Sequence, residues 1–128
     1  MIKYIFTKSE IKTMFYLTGH GNYKCSLFDV NTLEQAEFYD AEEGLIAKNV
    51  INRINNSDIV VDKMFVAIID VIVKAEYECD IPHVMAAVGS IVIVLEEDSR
   101  NNEIIKMIPY KNIEEAVEDY GTDLLMPC

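Results

Sequence analysis

The sequence predicts an α+β fold: a single domain over residues 1–128, with an antiparallel-rich β-sheet, one main helix over about 41–55 and a short C-terminal helix over about 112–120. Three observations predict it. The stretch Ile59–Leu95 is the most apolar of the chain. It closes on Ser90–Leu95, a short β-branched run bounded by Gly89 and by Glu96-Glu97-Asp98, which is the pattern of a buried strand. Asp40 and Glu43 stand at capping-box spacing ahead of an apolar-periodic run. Clusters of turn residues separate segments that alternate apolar and polar.

The opening segment alternates. Ile2, Tyr4 and Phe6 lie against Lys3 and Ile5, which predicts a first strand. Ile11–Thr18 follows as a second, with Met14, Tyr16 and Thr18 on one side. Gly19-His20-Gly21-Asn22 is a turn by composition, and Tyr23–Val30 a returning strand, so this region reads as a β-hairpin. Asn31-Thr32 is a further turn signal. Leu33–Tyr39, where Ala36 and Phe38 alternate with Glu37 and Tyr39, reads as a further strand of a meander.

In the main helix Ile46, Val50 and Ile54 fall at i, i+4 and i+8, one apolar stripe. Acidic residues at its start suit the positive end of the helix dipole. Gly44 weakens it by up to ~1 kcal/mol relative to Ala, and Asn55-Asn56-Ser57-Asp58 ends it. Ile59–Asp70 reads as a strand, with a helix as the alternative. From Val71 to Cys79 alternation predicts a half-buried strand. Asp98–Asn102 is a turn, after which Glu103–Ile108 pairs back on Ile91–Leu95 and Pro109 stops it. In the last helix Ile113, Ala116, Val117 and Tyr120 share a face, with Asn112 as cap and Gly121 as stop.

Half of the residues are hydrophobic, which excludes a disordered chain. No run approaches the ~20 apolar residues of a spanning helix: Asp62, Lys63, Asp70 and Lys74 interrupt one candidate, and Pro82, His83, Gly89 and Ser90 the other. The start Met1-Ile2-Lys3-Tyr4 carries no signal-peptide pattern, so a cytoplasmic location is expected. Cys25, Cys79 and Cys128 are odd in number and widely spaced, which suggests free thiols rather than a disulfide or zinc framework.

The net charge is −11, and it is uneven: residues 1–28 carry +3 and the remainder −14. Such a balance repels nucleic acid and anionic membrane and attracts a basic partner. The same acidity also serves solubility alone.

Signatures of chemistry are weak. Gly19-His20-Gly21 lacks the third glycine of a dinucleotide loop and reads as a turn. His20 as a general base would need an orienting carboxylate such as Asp29 or Asp40. Cys79, Asp80 and His83 could form a metal cluster only on a helix, against which Pro82 argues. Asp62 and Asp70 read as outward-facing residues of a strand, or as partners of Lys63 and Lys74. The sequence therefore points to no enzyme, no cofactor, no metal and no catalytic residue.

Acidic clusters remain, interleaved with aromatic residues. The residues expected to bind a partner are Glu37, Phe38, Tyr39, Glu42 and Glu43 in one cluster, and Glu114, Glu115, Glu118 and Tyr120 in another. Acids steer a basic protein and aromatics anchor it. In size, acidity, cysteine use and lack of catalytic signature the chain is similar to immunity proteins that neutralise bacterial nuclease toxins, and to small phage inhibitors of host defence enzymes. The similarity is one of character and covers no specific residues. It implies a basic protein partner, a nuclease toxin or a defence enzyme, with no direct contact to nucleic acid or membrane. A self-assembling module, built through exposed β-edges and the Ile-rich runs, is the first alternative, and a small enzyme the second.

Overall fold

Thr7 ends the first strand and starts the first helix. Strand β1 (Tyr4–Thr7) runs directly into helix α1 (Lys8–Leu17). Thr7 Oγ1 accepts from the Glu10 N–H at 3.1 Å, and Glu10 Oε1 accepts from the Thr7 N–H at 2.8 Å, a complete capping box. Ile11, Met14 and Phe15 then fall on one stripe and are buried. The predicted strand at 11–18 is thus a helix. The computed structural model of the protein describes residues 2–55, 58–75, 77–79 and 84–121, and the side chains of all of these but 77–79 and 84.

The predicted returning strand at 23–30 is a loop. It holds one isolated bridge, Lys24 with Asp29, and a single turn of 3-10 helix at Val30–Thr32. Aromatic packing pins it to α1: the Phe15 ring stacks on Tyr23 at 4.8 Å and meets Phe28 edge-on at 5.4 Å.

Helix α2 spans Gln35–Ala47, so the predicted strand at 33–39 is its first turns and the main helix ends earlier than expected. Phe38, Ala41 and Leu45 face inward at helical spacing. Asn49 takes a left-handed conformation (φ 61°) just beyond the end, a place where Asn is tolerated. Val50 and Ile51 therefore enter the core from a strand rather than from a helix. Of the predicted stripe only Val50 is buried, whereas Ile54 is 68% exposed. Strands β2 (Ile51–Arg53) and β3 (Ile59–Val61) form a separate antiparallel pair.

Helix α3 (Lys63–Val73) occupies the region where a strand was preferred. Asp62 caps it, its Oδ1 accepting from the Met64 N–H at 2.9 Å. Phe65, Ile68, Ile69 and Ile72 are buried at i, i+3, i+4 and i+7. Asp62 is thus a cap, and Asp70 lies on the outer side of a helix; neither belongs to a strand.

Strands β4 (Tyr77–Cys79), β5 (Val84–Val88), β6 (Ile91–Asp98) and β7 (Asn101–Tyr110) complete a five-stranded sheet of order β1-β7-β6-β5-β4, antiparallel throughout. Gly89, at φ +60°, makes the two-residue turn between β5 and β6. The predicted pairing of 103–108 on 91–95 holds, with Leu95 opposite Met107 and Val94 opposite Ile108. The strand passes through Pro109, where it was expected to stop. β1 reaches only Met107, so β7 has a neighbour on one side there and a residue without an N–H is tolerated.

Side chains alternate across the sheet. Phe6, Ala86, Ile93, Leu95, Ile105 and Met107 face α1 and α3. Met85, Val92, Val94, Ile108 and Tyr110 face helix α4 (Ile113–Tyr120), which contributes Ala116. Helix α2 packs on the outside of α1. The α+β class, the antiparallel sheet and the C-terminal helix, with its Asn112 cap (2.9 Å to the Glu115 N–H), are as predicted. Among the described residues no helix is long and apolar enough to cross a membrane.

The free edge of β1 is covered. Lys48, just past α2, donates to the Ile5 carbonyl at 3.1 Å and to Glu10 Oε1 at 2.7 Å, while Glu10 takes the Thr7 N–H. A charged plug of this kind blocks strand addition.

Candidate functional site

The first acidic-aromatic cluster is split by the helix that carries it. On α2, residues at i, i+3 and i+4 share a face. Glu42 turns inward, its side chain 4% exposed, and pairs with Arg53 of β2. A surface position was expected for it at the start of the main helix; the packing of α2 turns it, beside Ala41, into the core. Glu37 is half-buried and committed within the chain. It accepts from Ser9 Oγ at 2.7 Å and pairs with Lys12 at 3.0 Å, joining α2 to α1. The Ser9 hydrogen bond above all, against the opposing effect of burial, and then Lys12 hold its carboxyl below the usual range.

Tyr39 and Glu43 remain exposed, one turn apart on the same face, with Phe38 half-buried between them and the core. Here α1 supplies a residue that strand alternation had concealed. Tyr16, 56% exposed, meets the Phe38 ring edge-on at 5.9 Å, and Phe38 meets Tyr39 (57% exposed) at 6.0 Å. The hydroxyl of Tyr39 accepts from Gln35 Nε2 at 3.0 Å, which fixes the ring. Tyr16 was legible: Thr7-Lys8-Ser9-Glu10 is a capping box, and it starts the helix that turns Tyr16 toward α2.

These rings wall an open groove of about 540 Å³. Gly21, Asn22, Val30, Asn31, Leu33, Glu34 and Gln35 complete its lining. It has one carboxylate, several side-chain amides and no lysine, arginine or histidine. A groove of about 460 Å³ beside α4 contains Glu114 but no aromatic ring. Another, of about 490 Å³ between β1 and α3, contains Asp62 and the partly exposed Tyr4, but also Lys3 and Lys48. Of the three grooves, only the one between α1 and α2 joins an acid to aromatic rings without a lysine or arginine in its lining.

The second cluster lies on α4, on the opposite side of the sheet, so the two do not form one face. Glu114 and Glu118 are exposed, whereas Glu115 is partly covered in the first turn. Tyr120 is turned inward and donates to Glu96 Oε2 at 2.8 Å; Tyr110 donates to Asp119 Oδ2 at 2.8 Å. Burial first, then the paired carboxylate, pushes both phenols up from their ordinary value. Tyr120 thus ties α4 to the sheet instead of standing out as an anchor.

His20 Nε2 lies 3.8 Å from Asp70 Oδ1, too far for a hydrogen bond. The carboxylates considered for it do other things: Asp29 Oδ1 accepts from the Asn31 N–H at 3.0 Å, and Asp40 is exposed on α2. Cys25 is in no disulfide among the described residues. The Cys79-Asp80-His83 grouping lies outside the described side chains, as does Cys128. Among the described residues no group of three or more His, Cys, Asp or Glu is placed to hold a metal. Comparison with protein-family models, with curated proteins and with solved structures gives no match.

Proposed function

We propose that the protein is a cytoplasmic binding protein that neutralises a basic partner enzyme, as an immunity protein does for a nuclease toxin or a phage inhibitor for a host defence enzyme. The observation that carries this reading is the surface of Tyr16, Phe38 and Tyr39, with Glu34 in the same groove and the exposed Asp40 and Glu43 on the helix that carries two of the rings. It combines rigid aromatic area with uncompensated negative charge in a chain of net charge −11. The acids raise the encounter rate with a basic surface, and the rings, once desolvated, slow its release. Neutralisation needs no chemistry from this chain: covering a basic substrate-binding surface is enough.

Self-assembly is the second reading, and the β2–β3 pair favours it. Its exposed Ile54 and Val60 (68% and 46%) flank a two-stranded sheet that no further strand covers among the described residues. The plugged edge of β1 weighs against it.

The test is affinity capture from a lysate of the organism that encodes the chain, followed by assay of the captured protein. The reading predicts a basic enzyme whose activity falls stoichiometrically as the chain is added. Capture of copies of the chain alone, or of a partner whose activity is unchanged, would overturn it.

A further inference from the structure

We infer that the α1–α2 groove is a subsite for an arginine side chain presented by the partner. The inference rests on the proposed binding role and names the chemistry of its central contact. Three features converge. The groove offers two tyrosine rings, each more than half exposed, joined through Phe38 by edge-on contacts at 5.9 and 6.0 Å. A guanidinium within about 6 Å of such a ring is attracted by its quadrupole and can stack flat on it. Glu34 supplies the one charge of the lining, and its sign is negative.

The nearby charges sharpen that choice. Lys12 is buried, and its ammonium is engaged by Glu37 at 3.0 Å and by Thr32 Oγ1 at 3.3 Å, so it does not oppose a cation in the groove. Glu43 lies one turn beyond Tyr39 and adds negative potential at the rim. An anionic occupant would meet no positive charge in the lining.

The remaining polar groups select arginine over lysine. Asn22, Asn31 and Gln35 line the groove. Their amide oxygens are suited to the several N–H donors of a planar guanidinium, whereas an ammonium presents a point charge that keeps its water. Gln35 already donates to Tyr39 at 3.0 Å, which leaves its oxygen to accept. At about 540 Å³ the groove has room for the side chain and a short stretch of the backbone that carries it.

The probe is acetyl-Gly-Arg-Gly-amide, titrated into the isotope-labelled full chain and followed by NMR. The neutral, nearly isosteric acetyl-Gly-citrulline-Gly-amide is the control, and acetyl-Gly-Lys-Gly-amide the competitor. The arginine peptide is expected to give saturable shifts confined to Tyr16, Asn31, Gln35, Phe38 and Tyr39, with an affinity on the order of millimolar. Citrulline should give none, and lysine weaker ones. Glu34→Gln and Tyr39→Ala should each weaken binding by about three- to tenfold, and Tyr120→Phe should leave it unchanged. Both groove positions are exposed, so the variants retain the fold, and their own spectra show whether they do. Equal shifts from citrulline, or shifts centred elsewhere, or none at all, would overturn the inference.

The outcome is separable from that of the proposed function. Groove binding of the peptide without capture of a basic enzyme would sink the function and leave the subsite. A captured basic enzyme indifferent to Glu34→Gln and Tyr39→Ala would do the reverse.

Discussion

A Cβ placed on Gly44 would lie 2.2 Å from Oε2 of Glu10. The glycine that weakens α2 in isolation is there because a buried carboxylate from α1 fills the space its side chain would take. That carboxylate cannot simply swing away. It is 4% exposed and holds both the Thr7 N–H and Lys48. Gly44→Ala should therefore destabilise the protein by about 1–3 kcal/mol, as overpacking does, although helix propensity alone would stabilise it by up to ~1 kcal/mol. Urea unfolding measures the balance. In a Glu10→Ala background the sign should reverse, because the clash is gone; a stabilising Gly44→Ala in the parent chain would mean that Glu10 does not occupy this space.

Glu42 and Glu43 are adjacent in sequence and opposite in fate. Glu42 is buried against Arg53, whose side chain is 50% exposed. Solvent screening on the arginine side keeps the pair below the full value of a buried one, so Glu42→Ala should cost about 1–3 kcal/mol. Glu43→Ala should stay within about 0.5 kcal/mol. Equal costs in denaturant unfolding would show that α2 does not present these faces.

Tyr110 and Tyr120 give the protein an alkaline limit. In the unfolded chain a phenol ionises near 10.0; in the folded protein burial, with Asp119 and Glu96 respectively, holds both phenols neutral above that. The unfolded state then releases protons that the folded state keeps, so stability is full below about pH 10 and falls as pH rises beyond it. Ultraviolet titration should show Tyr110 and Tyr120 ionising late, together with unfolding. Tyr120→Phe should remove one of them. A single tyrosine transition near the ordinary value, with the fold intact, would contradict the assignment.

Much of the fold was legible, and the misreadings share a cause. Ile11–Leu17 and Lys63–Val73 contain enough β-branched and aromatic residues to suit a strand, and were read so, whereas the strand expected from Ile59 holds only over Ile59–Val61. Helix capping decided against them. Thr7 with Glu10, and Asp62 ahead of Phe65, Ile68, Ile69 and Ile72, start helices whose inward faces then match the 3.6-residue period. The start signal at Asp40 was real helix but lay inside α2, whose first turn is earlier and carries Glu37 at the third position. Asn112 stood alone before a clean stripe and was read correctly. The site was half legible for the same reason. Tyr39 and Glu43 needed only local sequence, but burial of Glu42 and exposure of Tyr16 beside Phe38 follow from α1 packing on α2. No local pattern carries the register of that contact.

The kinetics of the captured basic partner test the binding surface most directly. Rates should be measured at low salt and at ~0.15 M, where exposed charges are screened beyond about 8 Å. Charge reversal at Glu34, Asp40 and Glu43 should slow association at low salt, and the difference should shrink at the higher salt. Tyr39→Ala should instead speed dissociation by about tenfold or more, with association little changed. Reversal at Glu114 and Glu118, across the sheet, should alter neither rate by a comparable amount. Rates that ignore Tyr39 and the α2 acids, or that respond to the α4 acids in their place, would contradict the assignment of the partner surface to the α1–α2 groove.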